Sequence, residues 1–404
     1  MLPLPSSSKP GAPKDSQCPP AGFPDFITLG IVGGGQLAKM TAQAAAQLGC
    51  RVVILERQTE FPAGHVAARI LTGDWDDPRA LLELASGVDA VTLENEFVDA
   101  AALAAVAEHG HPLWPSAATM RLIQDKFLQK QALARAGIAV PEARAVETLD
   151  AARAVAAEWG LPLLLKARRN AYDGKGNATV REPEQIAAAW SRLGGDKGNA
   201  LFAEAFCPFV AELAVIVTRA QNGEMVTYPV VETLQRDHVC HTVQVPASVT
   251  PEIAARAGAL ARQAAEIVGM VGSMGVELFL TGDGALLVNE LAPRVHNSGH
   301  YTIEACACSQ FENHVRAVLG WPLGSPALRA PAAAMVNLLA PAGGPGQPQG
   351  LAEALRVPGA HVHLYGKTRS GAGRKMGHVT ALGSSPAEAL ALAQRAAECL
   401  RFSS

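Results

Sequence analysis

The sequence lacks an excess of charge of either sign and lacks any long apolar run. Its 34 Lys and Arg residues nearly balance its 37 Asp and Glu residues, which gives a formal net charge of −3. Such a balance offers no broad basic surface to a nucleic acid or to an anionic membrane. No uninterrupted apolar stretch approaches the roughly 18–20 residues that span a bilayer. We therefore expect no nucleic-acid partner and no membrane partner, and any cationic site must serve a small anion.

The sequence also lacks the cysteine and serine patterns of several protein classes. Its 7 cysteines are scattered, and no two of them form a C-x-x-C pair. This pattern argues against a disulfide framework and a zinc site, and it favours a cytoplasmic protein with reduced thiols. Without a G-x-S-x-G elbow, serine hydrolysis is unsupported. Residues 1–25 are rich in Pro, Ser and Gly and have no apolar core of a secretory signal, so we predict a disordered extension.

The chain contains enough apolar sequence for several domains. Its 404 residues, 49% of them hydrophobic, are expected to form two to four domains. Strand Phe26–Val32, a glycine turn, helix Leu37–Leu48 and strand Arg51–Leu55 form a βαβ unit, which predicts a doubly wound parallel sheet. The rest predicts α+β structure, with helices at Arg121–Ala136 and Pro251–Val268. The expected fold class is thus α/β followed by α+β.

Strand patterns dominate the middle of the chain. Three apolar segments predict one antiparallel set: Leu201–Glu204, Glu212–Thr218 and Met225–Val231. Gly275–Leu280 and Leu286–Glu290 flank a T-G-D-G turn signal, which predicts a hairpin. Pro341–Gly350 is rich in Pro and Gly and is predicted to be a linker or long loop.

The first motif with chemical content is the glycine turn of residues 33–38, which has the form G-x-G-x-x-A between a strand and a helix. Glu56 ends the next strand, where a dinucleotide-binding protein places the acid that holds a ribose. The pattern fits NAD. It fits equally a turn that packs a helix on a strand, or a monophosphate at the helix N-terminus. The residues alone leave these alternatives open.

A second glycine-rich segment, residues 166–177, lies between two predicted strands, so it is not a Walker A loop. Gly174 and Gly176 permit close approach of the backbone to a ligand, and the basic residues supply charge. We interpret the segment as a flap over a triphosphate, with a solvated hairpin as the alternative. Lys166 ends an apolar strand, where a lysine is expected to face an anion.

Two acids lie in the predicted hairpin of residues 275–290. Glu277 and Glu290 stand among apolar neighbours on adjacent strands, with Asn289 beside Glu290. Two carboxylates and an amide are hard oxygen ligands that suit Mg²⁺. Without a cation the carboxylates would repel each other, and one would stay protonated. An exposed hairpin face is the weaker alternative.

Two polar loops complete the set of motifs. Residues 289–300 hold two imidazoles, a guanidinium and amides, and residues 365–378 hold four cations on a glycine-rich loop. The first favours a polar, anionic small molecule, since binding residues concentrate on loops. The second favours a phosphate clamp, with a solvated basic turn as the alternative.

Taken in this order, the motifs resemble the 5-(carboxyamino)imidazole ribonucleotide synthases of the ATP-grasp superfamily. The stretches that carry the resemblance are GGGQLAKM at 33–40, VTLENEF at 91–97, QDKFLQK at 124–130, AYDGKGN at 171–177, NELAPRVHNSGH at 289–300 and GKTRSGAGRKMGHV at 366–379. The resemblance covers residues 26–400. It implies a Rossmann-like domain at 26–118 that does not hold NAD, an ATP-grasp domain at 119–322 with a flap subdomain at about 140–208, and a small β-rich C-terminal domain at 323–404.

The resemblance also implies roles for individual residues. The expected Mg²⁺ ligands are Glu277 and Glu290. The expected ATP contacts are Lys126, Lys166, the flap residues Ala171, Tyr172, Asp173, Gly174, Lys175, Gly176 and Asn177, the hinge residues Glu204, Ala205, Phe206 and Cys207, and Glu212, Gln235, Asn289 and Glu290. The expected substrate contacts are Gln36, Glu94, Glu96, Tyr172, Arg294, His296, Asn297, Ser298, Lys367, Arg374 and Lys375. Among these residues, Arg294, His296, Asp173 and Lys367 are expected to be catalytic.

The activity that the resemblance implies is the carboxylation of 5-aminoimidazole ribonucleotide. A homodimer would use ATP and bicarbonate, form carboxyphosphate, and release ADP and phosphate in purine biosynthesis. Another acyl-phosphate ligase, such as the formate-dependent glycinamide ribonucleotide transformylase, is the alternative. The sequence departs from the family pattern at Ala171, Asn177 and Gln235, and at Ala38-Lys39. The order Glu94-Asn95-Glu96 is also unusual, so which acid meets bicarbonate stays open.

Overall fold

The computed structural model describes residues 26–170, 176–236 and 239–402. The expected extension at residues 1–25 and most of the expected flap, Ala171 to Lys175, lie outside these ranges. The helices are α1 Gln36–Gln47, α2 Pro78–Ser86, α3 Ala100–Glu108, α4 Ala117–Gln124, α5 Lys126–Arg135, α6 Leu149–Trp159, α7 Gln185–Arg192, α8 Pro251–Ile267, α9 Thr302–Ala305, α10 Gln310–Val318, α11 Leu351–Leu355 and α12 Pro386–Ala397.

The strands form three main sheets. They are β1 Thr28–Val32, β2 Arg51–Glu56, β3 Arg69–Thr72, β4 Ala90–Leu93, β5 Ala143–Val146, β6 Leu163–Ala167, β7 Asn177–Val180, β8 Leu201–Ala205, β9 Phe209–Arg219, β10 Met225–Thr227, β11 Val231–Arg236, β12 Val239–Val245, β13 Gly272–Thr281, β14 Leu286–Ala292, β15 Ala332–Leu339, β16 Gly344–Pro345, β17 Ala360–Leu364, β18 Arg369–Ser370 and β19 Lys375–Gly383. The mixed helix and sheet content matches the expected fold class.

The first sheet is parallel, with strand order β3-β2-β1-β4. β1 pairs with β2 from Thr28↔Arg51 and with β4 from Leu29↔Ala90. Helix α1 packs on it through buried alanines, among them Ala38, Ala42 and Ala45. Small side chains let the helix approach the sheet closely, which fixes the glycine turn at the carboxyl end of β1. The predicted βαβ unit is confirmed.

The second sheet, with order β5-β8-β6-β7, is antiparallel and carries Lys166 and Glu204. The prediction that Leu201–Glu204 belongs with Glu212–Thr218 is wrong, because β8 pairs with β5 and β6. Only residues 206–208 separate β8 from β9, a spacing that resembles a hairpin loop. The apolar side chains of β8 are instead buried with those of α6 and α7, and the chain then crosses to the third sheet.

The third sheet is antiparallel, with order β14-β13-β9-β11-β12-β15-β19-β17 and with β10 on β9. It continues across residue 322, since β12 pairs with β15. Helix α8 covers one part of it through Ala257, Ala261, Ala264 and Ala265. The predicted hairpin of β13 and β14 is confirmed and forms one edge of this sheet.

The prediction of one continuous helix at Arg121–Ala136 is wrong, because Asp125 separates α4 from α5. Asp125 has extended backbone angles and accepts hydrogen bonds from the amides of Phe127 and Leu128, both at 3.1 Å. It thus caps α5, and Lys126 begins the helix. The expected loop Pro341–Gly350 also contains a short strand, β16, which pairs with β18.

In the described part of the chain, no helix has both the length and the apolar character needed to cross a bilayer.

His314 joins the parallel sheet to the third sheet. Its Nε2 lies 2.8 Å from the hydroxyl of Thr92 on β4, and its Nδ1 accepts the amide of Ser273 on β13 at 3.0 Å. An Nδ1 that accepts an amide proton cannot itself carry one, so the ring is neutral. Burial lowers the pKa of His314 to about 4.

Acid should therefore destabilise the protein through His314. A histidine with an unfolded pKa near 6.5 that is lowered on folding stabilises the fold above that pH, and this stability is lost as pH falls towards 4. We expect a contribution of about 2 kcal/mol to the loss of unfolding free energy between pH 7.5 and pH 5.0. Denaturant titrations should show a smaller pH effect in His314→Gln. The exposed His109→Gln is the control, and an unchanged pH effect in His314→Gln would contradict the assignment.

Candidate active site

The two predicted metal ligands face each other across the β13–β14 hairpin. Glu277 and Glu290 are direct cross-strand partners, next to an irregularity in the pairing. Burial raises the pKa of Glu277 to about 8, and the charges of Glu290 and Glu212 add to the effect. Burial also favours neutral Glu290, but the charges of Lys126 and Lys166 outweigh it and lower its pKa. Near neutral pH, Glu277 is therefore protonated and Glu290 is ionised. A bound cation would displace the proton from Glu277.

Lys126 supplies part of the positive charge that compensates the acidic pair. Its Nζ lies 3.2 Å from Glu290 Oε2. Burial alone would lower its pKa, but Glu290 and Glu96 raise it. The described residues contain no group of three or more His, Cys, Asp or Glu side chains arranged for a metal. Two neighbouring carboxylates are chemically suited to an ion such as Mg²⁺, which proteins bind through one or two carboxylates together with the phosphates of a substrate.

A second cluster of charges joins β8 to α5. Glu204 is 2% exposed, and its carboxylate lies 2.5 Å from Lys166 Nζ and 2.8 Å from Lys130 Nζ. Lys130 also donates to the backbone carbonyl of Asn289 at 2.9 Å. Sequence reasoning missed Lys130. Its position four residues after Lys126, on the same helix face, was the available signal.

Exposed aromatic rings and a half-buried acid lie near the predicted hinge. Phe206 and Phe209 are 41% and 42% exposed, and the ring of Phe209 stacks on that of Phe279 at 4.6 Å. Burial raises the pKa of Glu212, which Gln235 partly offsets by a hydrogen bond. Among the described residues, Glu212 Oε2 finds no hydrogen-bond donor. Exposed rings beside an unsatisfied carboxylate suit a flat base and hydroxyl groups.

The polar loop after β14 meets the end of β4. Arg294 forms a two-bond fork with Glu96, through Nε to Oε2 and through Nη2 to Oε1, the latter at 2.9 Å. Although burial opposes ionisation, Arg294 lowers the pKa of Glu96 to about 2. The sequence left both Glu94 and Glu96 as candidates for one role. The structure gives them different partners, and Glu96 is the acid that meets Arg294.

His296 lies between this loop and the acidic pair. Its Nε2 is 3.6 Å from Glu277 Oε1, and its Nδ1 is 2.9 Å from the hydroxyl of Ser298. Burial lowers the pKa of His296 to about 3, and the charges of Arg294 and Lys375 add to the effect. A neutral imidazole can orient a ligand or donate and accept hydrogen bonds. Ser298 is buried and acts on the site through His296.

The glycine turn is filled by the protein's own carboxylates. Gly34 donates its amide to Glu56 Oε2 at 2.7 Å. Glu94 accepts the amide of Leu37, and its side chain occupies the space where a Cβ on Gly35 would lie. A pyrophosphate could not take the same donors without displacing both acids, so the geometry disfavours the NAD interpretation. Gln36 is the first residue of α1, at the same turn.

The basic residues of the loop at residues 365–378 differ in how close they come to the acidic pair. The charge of Lys375 lowers the pKa of both Glu277 and His296, so it lies close enough to act on the site. Lys367 donates to the carbonyl of Lys375 at 2.7 Å. Arg374 is exposed and donates to the carbonyl of Arg369 at 2.7 Å, so it is not brought to the acidic pair. Asn297 exchanges two amide hydrogen bonds with Asn337, at 2.9 and 2.7 Å.

Two expected positions of the flap segment are described. Asn177 pairs with Lys166 across β6 and β7, and the carbonyl of Gly176 accepts a hydrogen bond from the amide of Ala167 at 2.8 Å. The expected roles of Ala171, Tyr172, Asp173, Gly174 and Lys175 fall on residues outside the described ranges.

Comparison with known proteins agrees with this arrangement. Family models match at residues 26–124 (ribonucleotide synthetase preATP-grasp domain), 131–311 (ATP-grasp domain) and 333–392 (phosphoribosylaminoimidazole carboxylase C-terminal domain). The fold and the site thus define an ATP-grasp protein.

Individual relatives are more specific. N5-carboxyaminoimidazole ribonucleotide synthase of Synechococcus elongatus is 42% identical over 87% of this chain and 88% of its own length. The chain therefore belongs to the N5-carboxyaminoimidazole ribonucleotide synthase family. Phosphoribosylaminoimidazole carboxylase of Ogataea methanolica is 43% identical over 89% of this chain, but the match spans only 67% of that longer protein. The Aspergillus clavatus synthase, solved with ADP and 5-aminoimidazole ribonucleotide, has a TM-score of 0.85 and 37% identity, over 93% of this chain and 98% of its own.

Glu277 should make the metal-free protein sensitive to base. A carboxyl whose pKa is raised on folding stabilises the fold most fully below its unfolded pKa, near 4.5, and this stability is lost as pH rises through 8. In Mg²⁺-free buffer, we expect Glu277→Gln to have a Tm at least about 2 °C above that of the unsubstituted protein at pH 9, a difference of about 1 kcal/mol. Below about pH 4.5 the advantage should vanish.

Thermal unfolding at several pH values measures this difference. Glu312→Gln, which removes a carboxylate that pairs with Arg316 on α10, is the matched control and should follow the pH profile of the unsubstituted protein. Parallel profiles for Glu277→Gln and the unsubstituted protein would contradict the raised pKa.

Proposed function

We propose that the protein is a carbon–nitrogen ligase that carboxylates the exocyclic amine of 5-aminoimidazole ribonucleotide. The reaction uses ATP and bicarbonate and yields 5-(carboxyamino)imidazole ribonucleotide, ADP and phosphate, as a step of purine biosynthesis. The observation that carries the proposal is one continuous set of contacts, from Lys126 through Glu290 and Glu277 to His296. These contacts connect the residue proposed to bind the ATP phosphates, Lys126, to the polar loop that suits an anionic substrate.

The acidic pair fits Mg²⁺ as the cofactor. Glu277 and Glu290 would hold the ion. Their pKa values are shifted in opposite directions, and a positive charge between the two groups would allow both to be ionised. When bound, Mg²⁺ would neutralise negative charge that develops on the transferred phosphoryl group. The nucleotide base would lie against Phe206 and Phe209, and the ribose hydroxyls would meet Glu212.

The residues of this chain would act on three reactants. Bicarbonate has a poorly electrophilic carbon, so its oxygen first attacks the γ-phosphorus of ATP, which forms carboxyphosphate and releases ADP. Lys126 and Lys166 compensate the phosphate charge in a loose transition state. The amine of the ribonucleotide then attacks the carboxyl carbon, the new C–N bond forms, phosphate leaves, and the amine loses a proton.

Arg294 and His296 would position the smaller reactants. The Arg294 guanidinium is held by Glu96, and it would bind bicarbonate or the carboxyphosphate that forms from it. His296 remains neutral at physiological pH and is oriented by Ser298, which suits a hydrogen bond to the amine or to the carboxyl group. Lys375 and Lys367 would contact the ribonucleotide phosphate.

Release of ADP tests the activity directly. Steady-state ADP formation should require both bicarbonate and 5-aminoimidazole ribonucleotide, and formate should not replace bicarbonate. Sustained ADP release without the ribonucleotide, or with formate in place of bicarbonate, would contradict the proposal.

Removal of the Glu290 charge should impair turnover strongly. Glu290→Gln takes away half of the carboxylate charge offered to the cation and also unpairs Lys126, so we expect kcat to fall by at least about 100-fold. Glu312→Gln, outside the site, should keep kcat within about twofold. ADP formation at saturating ATP measures both. Near-normal turnover of Glu290→Gln would contradict the metal assignment.

The remaining features are proposals of the same kind. We propose a cytoplasmic homodimer, divided into domains near residues 118 and 322. The six described cysteines are free thiols, which suits a reducing compartment, and the family resemblance supports the dimer. Light scattering of the purified protein measures its oligomeric state.

A further inference from the structure

We infer that Lys130 is a positioning residue that keeps Glu204 paired when Lys166 moves to an ATP phosphate. The inference rests on the proposed function, because it takes Lys166 to be a phosphate ligand. Lys130 is buried against Glu204 and is not one of the proposed phosphate contacts. Its basis is the arrangement of two lysines around one buried carboxylate.

The two lysines hold opposite oxygens of Glu204. Lys166 Nζ lies 2.5 Å from Oε1, and Lys130 Nζ lies 2.8 Å from Oε2. The carboxylate thus forms ion pairs with two lysines before any nucleotide binds. One lysine can leave without stranding the carboxylate, provided that the other stays.

The structure indicates which lysine stays. The side chain of Lys130 is 4% exposed and that of Lys166 is 13% exposed. Lys130 has a second anchor in the carbonyl of Asn289 at 2.9 Å, and it lies on the same face of α5 as Lys126. Lys166 is the penultimate residue of β6, beside the flap segment. Lys130 is therefore the fixed partner and Lys166 the exchangeable one.

The consequence for ATP binding is electrostatic. A carboxylate that is nearly inaccessible to water and loses its only counter-ion destabilises the state in which this happens. If Lys130 were absent, Lys166 could contact a phosphate only by leaving Glu204 unpaired. Lys130 also ties β8, which leads into the hinge, to β14, which carries Glu290. It therefore fixes the nucleotide hinge relative to the acidic pair.

Ligands with and without phosphates separate this role from a general structural one. In Lys130→Met, the affinity for the non-hydrolysable analogue AMPPNP with Mg²⁺ should fall by at least about 10-fold. The affinity for adenosine should change by less than about twofold, because Lys166 need not leave Glu204. Calorimetry measures the first ligand, and ligand-observed NMR measures the second.

Two control variants sharpen the comparison. Lys130→Arg retains the positive charge and should recover most of the AMPPNP affinity. Arg135→Met removes an exposed charge from the same helix and should leave both affinities unchanged. In turnover assays, Lys130→Met should raise the KM for ATP by at least about 10-fold and leave the KM for the ribonucleotide within about twofold.

Several outcomes would overturn the inference. Equal losses for AMPPNP and adenosine would make Lys130 a structural support of the whole hinge, and an unchanged AMPPNP affinity would deny it any role. Failure of the proposed function would look different. The unsubstituted protein would then bind AMPPNP but release no ADP in response to bicarbonate and the ribonucleotide, while the binding comparison would still decide the role of Lys130.

Discussion

The structure depends on the compensation of negative charge at the edge of the third sheet. Two glutamates face each other across β13 and β14, and Lys126 contacts the pair through Glu290. Because the two carboxylates repel each other and are partly buried, one of them stays protonated near neutral pH unless a cation is present. This deficit of positive charge explains why the site suits a divalent ion and a phosphate-bearing ligand rather than a neutral one. The neighbouring lysines, arginine and histidine are arranged around it.

Contacts between the sheets hold these groups in one place. His314 links β4 to β13, and Lys39 donates to the carbonyls of Leu364 and Tyr365 at 3.0 and 3.3 Å. The Arg294–Glu96 fork joins the loop after β14 to the end of β4. Each contact is made by a polar group that is at least partly buried, so few other partners are available to it. The three regions are therefore held in register around the acidic pair by specific hydrogen bonds as well as by apolar packing.

Sequence reasoning succeeded where a local rule decides the structure. A turn signal between two alternating strands placed Glu277 opposite Glu290, and the glycine turn predicted the βαβ unit. It failed where partners come from distant segments. The separation of β8 from β9 depends on which helices bury their apolar faces, and the division of α4 from α5 depends on the cap at Asp125 and its ion pair with Arg168. The position of Lys130 likewise depends on tertiary contacts that composition and spacing do not encode.

The central claim is that Glu277 and Glu290 together hold the cation that joins nucleotide to protein. A crystal structure with Mg²⁺, AMPPNP and 5-aminoimidazole ribonucleotide tests it most directly. The account predicts a metal ion about 2.0–2.1 Å from a carboxylate oxygen of each glutamate and from a phosphate oxygen. A bound nucleotide whose metal ion lies elsewhere, with both glutamates uncoordinated, would contradict the account.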